Sequence, residues 1–174
     1  VKKIKVSLTT ESLLDAARQI DHYCRQLDDK NKEFVRRLGE IGLNVVNTTM
    51  QSVPPVDRGE YTAEVVEPVM DGDHVCGIAL NLYGDQIMFI EFSSGVTFGQ
   101  TSFPTLPDGN SYGDGMGTGT FPGQKYAYSP TGWWYKDQWG QRQHTYGLRA
   151  SMPMYKADVE IVQSIRRIAK EVFG

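Results

Sequence analysis

Hydrophobic and polar positions divide this chain into stretches of different period. In residues 2–8, Ile4, Val6 and Leu8 alternate with Lys3, Lys5 and Ser7, the pattern of a short half-buried strand or an extended arm. Thr9-Thr10-Glu11-Ser12 then offers N-caps, and Glu11 and Asp15 follow where a helix dipole favours acids. The stripe Leu13, Ala16/Ala17, Ile20, Tyr23/Cys24, Leu27 has helical period. Asp28-Asp29 reads as a break or a second cap, and a further stripe follows it: Phe34/Val35, Leu38, Ile41/Gly42, Val45/Val46, Met50. Residues 11–50 are therefore predicted as a helical hairpin or one long bent helix. Val53-Pro54-Pro55 ends it, because proline lacks the amide donor and restricts the residue before it.

The period then changes to that of strands. Residues 61–69 are rich in Val, Tyr and Thr, and Asp71-Gly72 signals a hairpin. Residues 74–82 alternate, Gly84-Asp85 makes another turn, and residues 86–93 are predicted as a third strand of an antiparallel meander. Ser151-Met152-Pro153 opens a closing helix. Its inner face is predicted as Val159, Val162, Ile165, Ile168/Ala169 and Val172, with Arg166, Arg167 and Lys170 outside. The fold class expected is α+β: a long N-terminal helix or helical hairpin and a C-terminal helix packed on a small antiparallel sheet, in a single domain spanning residues 1–174.

Between the predicted sheet and the closing helix lies a segment of different composition. Residues 95–147 hold 11 of the 18 glycines, 11 of the 19 aromatic residues and all 3 tryptophans, but only two aliphatic Val/Ile/Leu residues, Val96 and Leu106. Gly113, Gly115, Gly117 and Gly119 recur at every second position. A loop this long inside a compact domain is uncommon unless functional or disordered, and its aromatic content argues against plain disorder.

Charge and cysteine content narrow the function classes. The formal net charge of -3 argues against a protein that binds nucleic acid through bulk positive charge. The apolar runs are too short for a membrane span, and VKKIKVSLTT has no apolar stretch behind its lysines, so no secretory leader is expected. Cys24 and Cys76 sit in apolar-periodic stretches and read as small buried thiols. His22 and Cys24 share no helix face, and His74 with Cys76 supplies only two ligands, so no metal site is expected.

The catalytic motifs are missing: there is no nucleophile elbow, no zinc-protease helix, no phosphate loop and no dinucleotide fingerprint. Gly123-Gln124-Lys125 lacks the spacing and the hydroxyl of a phosphate loop. His144, near Asp137 and beside a basic residue, is a weak acid–base candidate, and nothing in the sequence joins Glu91 to Asp137 as a glycosidase pair. The reading is therefore non-enzymatic and without a cofactor. Trp133, Trp134, Tyr135 and Trp139, with Phe121 and Tyr126, are the candidate partner contacts. Such aromatics form a local core under a loop, a protein interface, or a stacking platform for sugars or bases.

Four stretches, in order along the chain, resemble the tail-component family of long-tailed phages, the small neck proteins encoded between capsid and tail-tube genes. Ile90-Glu91-Phe92-Ser93-Ser94-Gly95-Val96 is similar to that family's (I/V)EFG(T/S)G strand end, with Ser93-Ser94 where many members carry Gly-Thr. Ala150-Ser151-Met152-Pro153-Met154-Tyr155-Lys156-Ala157 resembles the run that opens its C-terminal helix, and Ile168-Ala169-Lys170-Glu171-Val172-Phe173 resembles its end. Ser52-Val53-Pro54-Pro55-Val56-Asp57-Arg58-Gly59 resembles the turn after its long helix. The resemblance implies a structural virion protein that forms an oligomeric ring at the head–tail junction, made in the host cytoplasm, and that contacts itself and other neck and tail proteins. It implies no catalytic residues. An acidic ring of this kind suits DNA passing through without specific binding. The alternative from the aromatic cluster is a carbohydrate- or cell-wall-binding module.

Overall fold

The computed structural model describes residues 4–72, 74–95, 103–113, 125–137 and 139–174, except for the side chains of Glu67 and Pro68. Its elements are helix α1 (Thr10–Ser52), the short helix α2 (Pro55–Arg58), strands β1 (Thr62–Asp71) and β2 (His74–Tyr83), helix α3 (Ile87–Phe92), strands β3 (Trp133–Lys136) and β4 (Arg142–Thr145), and helix α4 (Pro153–Phe173). The architecture is α+β, with two long helices and two separate two-stranded antiparallel sheets, β1–β2 and β3–β4.

α1 is one uninterrupted helix of 43 residues, about 65 Å long at 1.5 Å per residue. Thr9 caps it by accepting the Ser12 amide at 3.3 Å. The break expected at Asp28-Asp29 does not occur, because these polar residues serve a tertiary contact. His74 Nδ1 lies 3.0 Å from Asp28 Oδ1, and the Asn31 side chain donates to the Val75 carbonyl, so both fasten the β1–β2 hairpin to the helix. Gly39 and Gly42 let neighbours come close: a Cβ on Gly42 would stand 2.7 Å from Ile161 Cδ1 and 3.0 Å from Leu80 Cδ2. The helix end at Val53 and Pro54 is as the prolines predict. Residues 4–9 are extended without strand pairing, and Val6 and Leu8 are exposed, so the arm is realised and the strand is not.

Val46, Met50, Val53, Ile87, Ile90 and Ala157 form the buried core, flanked by Tyr61, Ala63, Leu80, Leu82, Leu148 and Met154. The core therefore lies at the C-terminal end of α1, against the sheet, α3 and the start of α4. The predicted third strand is a correction: residues 87–92 form helix α3. Ile87, Ile90 and Glu91, spaced three and four apart, are its buried residues, and a short apolar run of this kind does not distinguish strand from helix. Both cysteines are also corrections, since Cys24 and Cys76 are exposed free thiols and not buried ones. In α4 the inner face is met in part: Ile168 is buried and Val159, Ala169 and Val172 are half-buried as predicted, but Val162 and Ile165 are exposed, and Pro153, Ala157 and Ser164 are buried in their place. Small residues at 157 and 164 allow the close α1–α4 approach that the larger valines would block.

Candidate functional site

Glu91 organises the centre of the molecule. It is 4 % exposed, and its carboxylate accepts the backbone amides of Met154 and Tyr155, both at 3.0 Å, and the Tyr112 hydroxyl. α4 begins at Met152-Pro153 and has no side-chain cap of its own. A helix start leaves unpaired amides and a positive dipole end, and an acid from elsewhere in the chain satisfies both. The Ile90 carbonyl completes the cap by accepting the Ser151 amide at 2.7 Å. Ser93, which ends α3, has φ +68° and ψ 167°, a region costly for any residue with a Cβ.

The Gly/aromatic segment is rooted beside this point. Ser94 and Leu148 exchange backbone hydrogen bonds at 2.9 and 3.0 Å, so residues 95–147 leave and return through one pinched neck. Gly147 stands at φ +102°, and a Cβ there would overlap the Ser94 carbonyl oxygen. Residues 103–113 turn back onto the body. Phe92, Phe103, Tyr112 and Tyr155 pack as one aromatic cluster, with neighbouring centroids 5.0–6.5 Å apart, and Tyr155 donates to the Thr105 carbonyl at 3.3 Å. Burial and the adjacent Glu91 carboxylate push the Tyr112 phenol well above the usual tyrosine range.

The β3–β4 hairpin is organised differently. Trp134 pairs with His144 and Lys136 with Arg142, and alternation puts these on one face and Trp133, Tyr135, Gln143 and Thr145 on the other. The first face is open. Trp134 is 56 % exposed, the Arg142 guanidinium lies 4.7 Å from its ring centroid, and His144 stacks edgewise between Trp134 and Tyr146 at 4.8 and 4.9 Å. The second face is half-buried, with the edge of the Trp133 indole close over Gly95. Burial, followed by the charges of Asp57 and Asp137, raises the Tyr135 phenol. The turn is tied by Asp137, which accepts the Trp139 and Gln141 amides at 3.0 and 2.8 Å and the Gln143 side chain at 3.1 Å. Desolvation works against ionisation there, but these donors win and hold its carboxyl below the usual range.

The four sequence-predicted aromatics therefore do not form one platform. Trp134 and Trp139 are exposed, and Trp133 and Tyr135 are half-buried. Tyr126 is exposed, with Lys125 Nζ 5.4 Å from its ring centroid. Phe121, Gly115–Gly119, Gly123 and Gln124 lie outside the described residues. His144 Nε2 lies 3.1 Å from the Thr131 carbonyl oxygen, and Asp137 is occupied by its turn, so the two make no acid–base pair. Among the described residues no group of three or more His, Cys, Asp or Glu could hold a metal, and no helix is long and apolar enough to cross a membrane. The helix cap at Glu91 was missed by sequence reading. Its signal was a helix opening on Met-Pro with no Ser, Thr, Asp or Asn at the capping position. Compared with known proteins, the chain matches no family model, no curated protein and no solved structure.

Proposed function

We propose that this chain is a non-enzymatic structural protein of a tailed phage or prophage virion, working as an oligomeric ring component at the head–tail junction. The observation that carries the reading is the β3–β4 hairpin. It presents Trp134, Arg142, His144 and Tyr146 outward from a glycine-jointed segment whose other half is docked on its own body. Exposed aromatic and arginine side chains together are the composition of interface hot spots. The resemblance supplies the location, and it gains support from the meeting of its motifs at Glu91 and from the positive φ at Ser93. Contacts with other neck and tail proteins use this face, and an acidic ring lets DNA pass without specific binding.

A carbohydrate-binding module is the weaker reading. Arg142 already covers a face of Trp134, and Trp133 and Tyr135 point the other way, so no flat sugar platform is offered. The test is genetic and structural. Interrupting the reading frame in its phage should yield separate DNA-filled heads and complete tails by electron microscopy, restored to joined virions by the intact chain. Joined, infectious particles without the chain contradict the proposal, and specific glycan binding lost with Trp134→Ala favours the alternative.

A further inference from the structure

Two apolar stripes stay uncovered in this molecule, and they lie on different elements. The first runs along the N-terminal half of α1. Leu13, Leu14, Ile20, Tyr23 and Leu27 are exposed, and only Ala16 is buried between residues 10 and 30. The positions Leu13, Ala17, Ile20, Cys24, Leu27 repeat at spacings of four and three, and the same spacing continues through Asn31 to Phe34, Leu38, Ile41 and Val45. It continues the line that borders the packed face of α1, on which Leu38 is buried and Phe34, Ile41 and Val45 are half-buried. α4 covers that line only as far as its own end, where Phe173 meets Phe34 with centroids 5.7 Å apart and Arg37 pairs with Glu171. Beyond Phe34, Asn31 meets the β1–β2 hairpin, and from Leu27 back to Leu13 the stripe runs uncovered for about two heptads.

The second stripe is on α4 itself. Val162 and Ile165 are exposed and, with half-buried Ala169, follow helical spacing along a line that ends at Phe173, which is itself packed on Phe34. Arg166 and Lys170 flank it, both exposed. The two surfaces are opposite in charge. Residues 10–29 carry Glu11, Asp15, Asp21, Asp28 and Asp29 against Arg18 and Arg25, whereas the last three turns of α4 carry Arg166, Arg167 and Lys170 against Glu171.

We propose that the N-terminal half of α1 docks on the α4 stripe of a second copy of this chain, head to tail. The occupant is argued from the continuity of the stripe and from the complementary charge. Because the two surfaces differ, each copy offers one of each, and such heterologous contacts close into a ring when the rotation fits. The inference rests on the ring reading above and names the surfaces that build it.

Light scattering after size exclusion, on the full chain and two variants, tests this. One variant carries Leu13→Asp and Ile20→Asp, and the other carries Arg166→Glu and Lys170→Glu. All four side chains are exposed, so circular dichroism and the melting temperature should match the unaltered chain. The unaltered chain is expected as an oligomer and each variant alone as a 19.5 kDa monomer. An equimolar mixture of the two should give a species of twice that mass and nothing larger, since only one good surface of each kind remains. Four results overturn the proposal: an unaltered chain that stays monomeric up to its solubility limit, variants that still oligomerise, loss of assembly in the α1 variant alone, or a mixture that stays monomeric. The ring reading fails separately, if heads and tails join in the absence of the chain.

Discussion

Residues 103–113 and 133–146 come from the same Gly- and aromatic-rich segment, yet the structure uses them in opposite ways. The first stretch gives its Phe103 and Tyr112 rings to a cluster with Phe92 and Tyr155 and its Tyr112 hydroxyl to the buried Glu91 carboxylate. The second turns Trp134 and Tyr146 into solvent and supports them with an arginine and a histidine of its own sheet. Composition is shared, so it does not decide which aromatic becomes core. What decides is whether a polar anchor in the body lies within reach. Glu91 supplies one for Tyr112, and the outward face of the hairpin has none. The comparison predicts that changes near Glu91 cost stability, and that changes on the outward face cost assembly.

The largest expected effect is that of Glu91→Ala. It leaves two amides and a hydroxyl without their acceptor in a buried site, and should lower unfolding free energy by about 3–5 kcal/mol in urea titration, with Glu91→Gln distinctly milder. A loss of under about 1 kcal/mol would show that the cap is not what joins α4 to α3. Next is Gly147→Ala, which places a Cβ against the Ser94 carbonyl at φ +102°. It should cost about 2–3 kcal/mol and open the neck of the segment to proteolysis.

Tyr112→Phe comes third, at about 1–2 kcal/mol for a lost hydrogen bond to a charged group. The same tyrosine gives a pH dependence. Its folded phenol titrates above the unfolded one, so above the ordinary value of about 10 the native state holds more protons than the unfolded state. Its contribution is complete below that pH and declines as pH rises further. In ultraviolet titration one tyrosine should ionise only as the chain unfolds, and Tyr112→Phe should remove that signal. The smallest effect has the opposite sign. Ser93→Gly should raise stability by about 1 kcal/mol, since glycine adopts the observed φ and ψ without strain, and a lower melting temperature would contradict the strain at Ser93.

Periodicity made the two long helices and the β1–β2 hairpin legible, because their stripes are long and their ends are marked by Thr9, Pro54, Gly72 and Pro153. It did not reveal α3, whose six residues are too few to show a period. On α4 it revealed Ile168 as inward but not Ala157 and Ser164, whose small side chains suit close packing and carry no strong apolar signal. Asp28 looked like a helix break because its partner, His74, is distant in sequence. Glu91 was visible only as an acid in an apolar run. Its role depends on a helix 62 residues away, and no local pattern encodes that pairing. The aromatic enrichment was legible in the sequence, but its division into an inward and an outward face follows from the β3–β4 register.

The most direct test of the account is a single substitution measured twice. Trp134→Ala should leave the melting curve nearly unchanged, within about 0.5 kcal/mol, as expected for an exposed side chain. Supplied in place of the intact chain to a phage lacking the gene, it should fail to join heads to tails, leaving separated particles under the electron microscope. Virions that assemble normally with the Trp134→Ala chain would contradict the claim that this outward aromatic face is where the protein meets its neighbours.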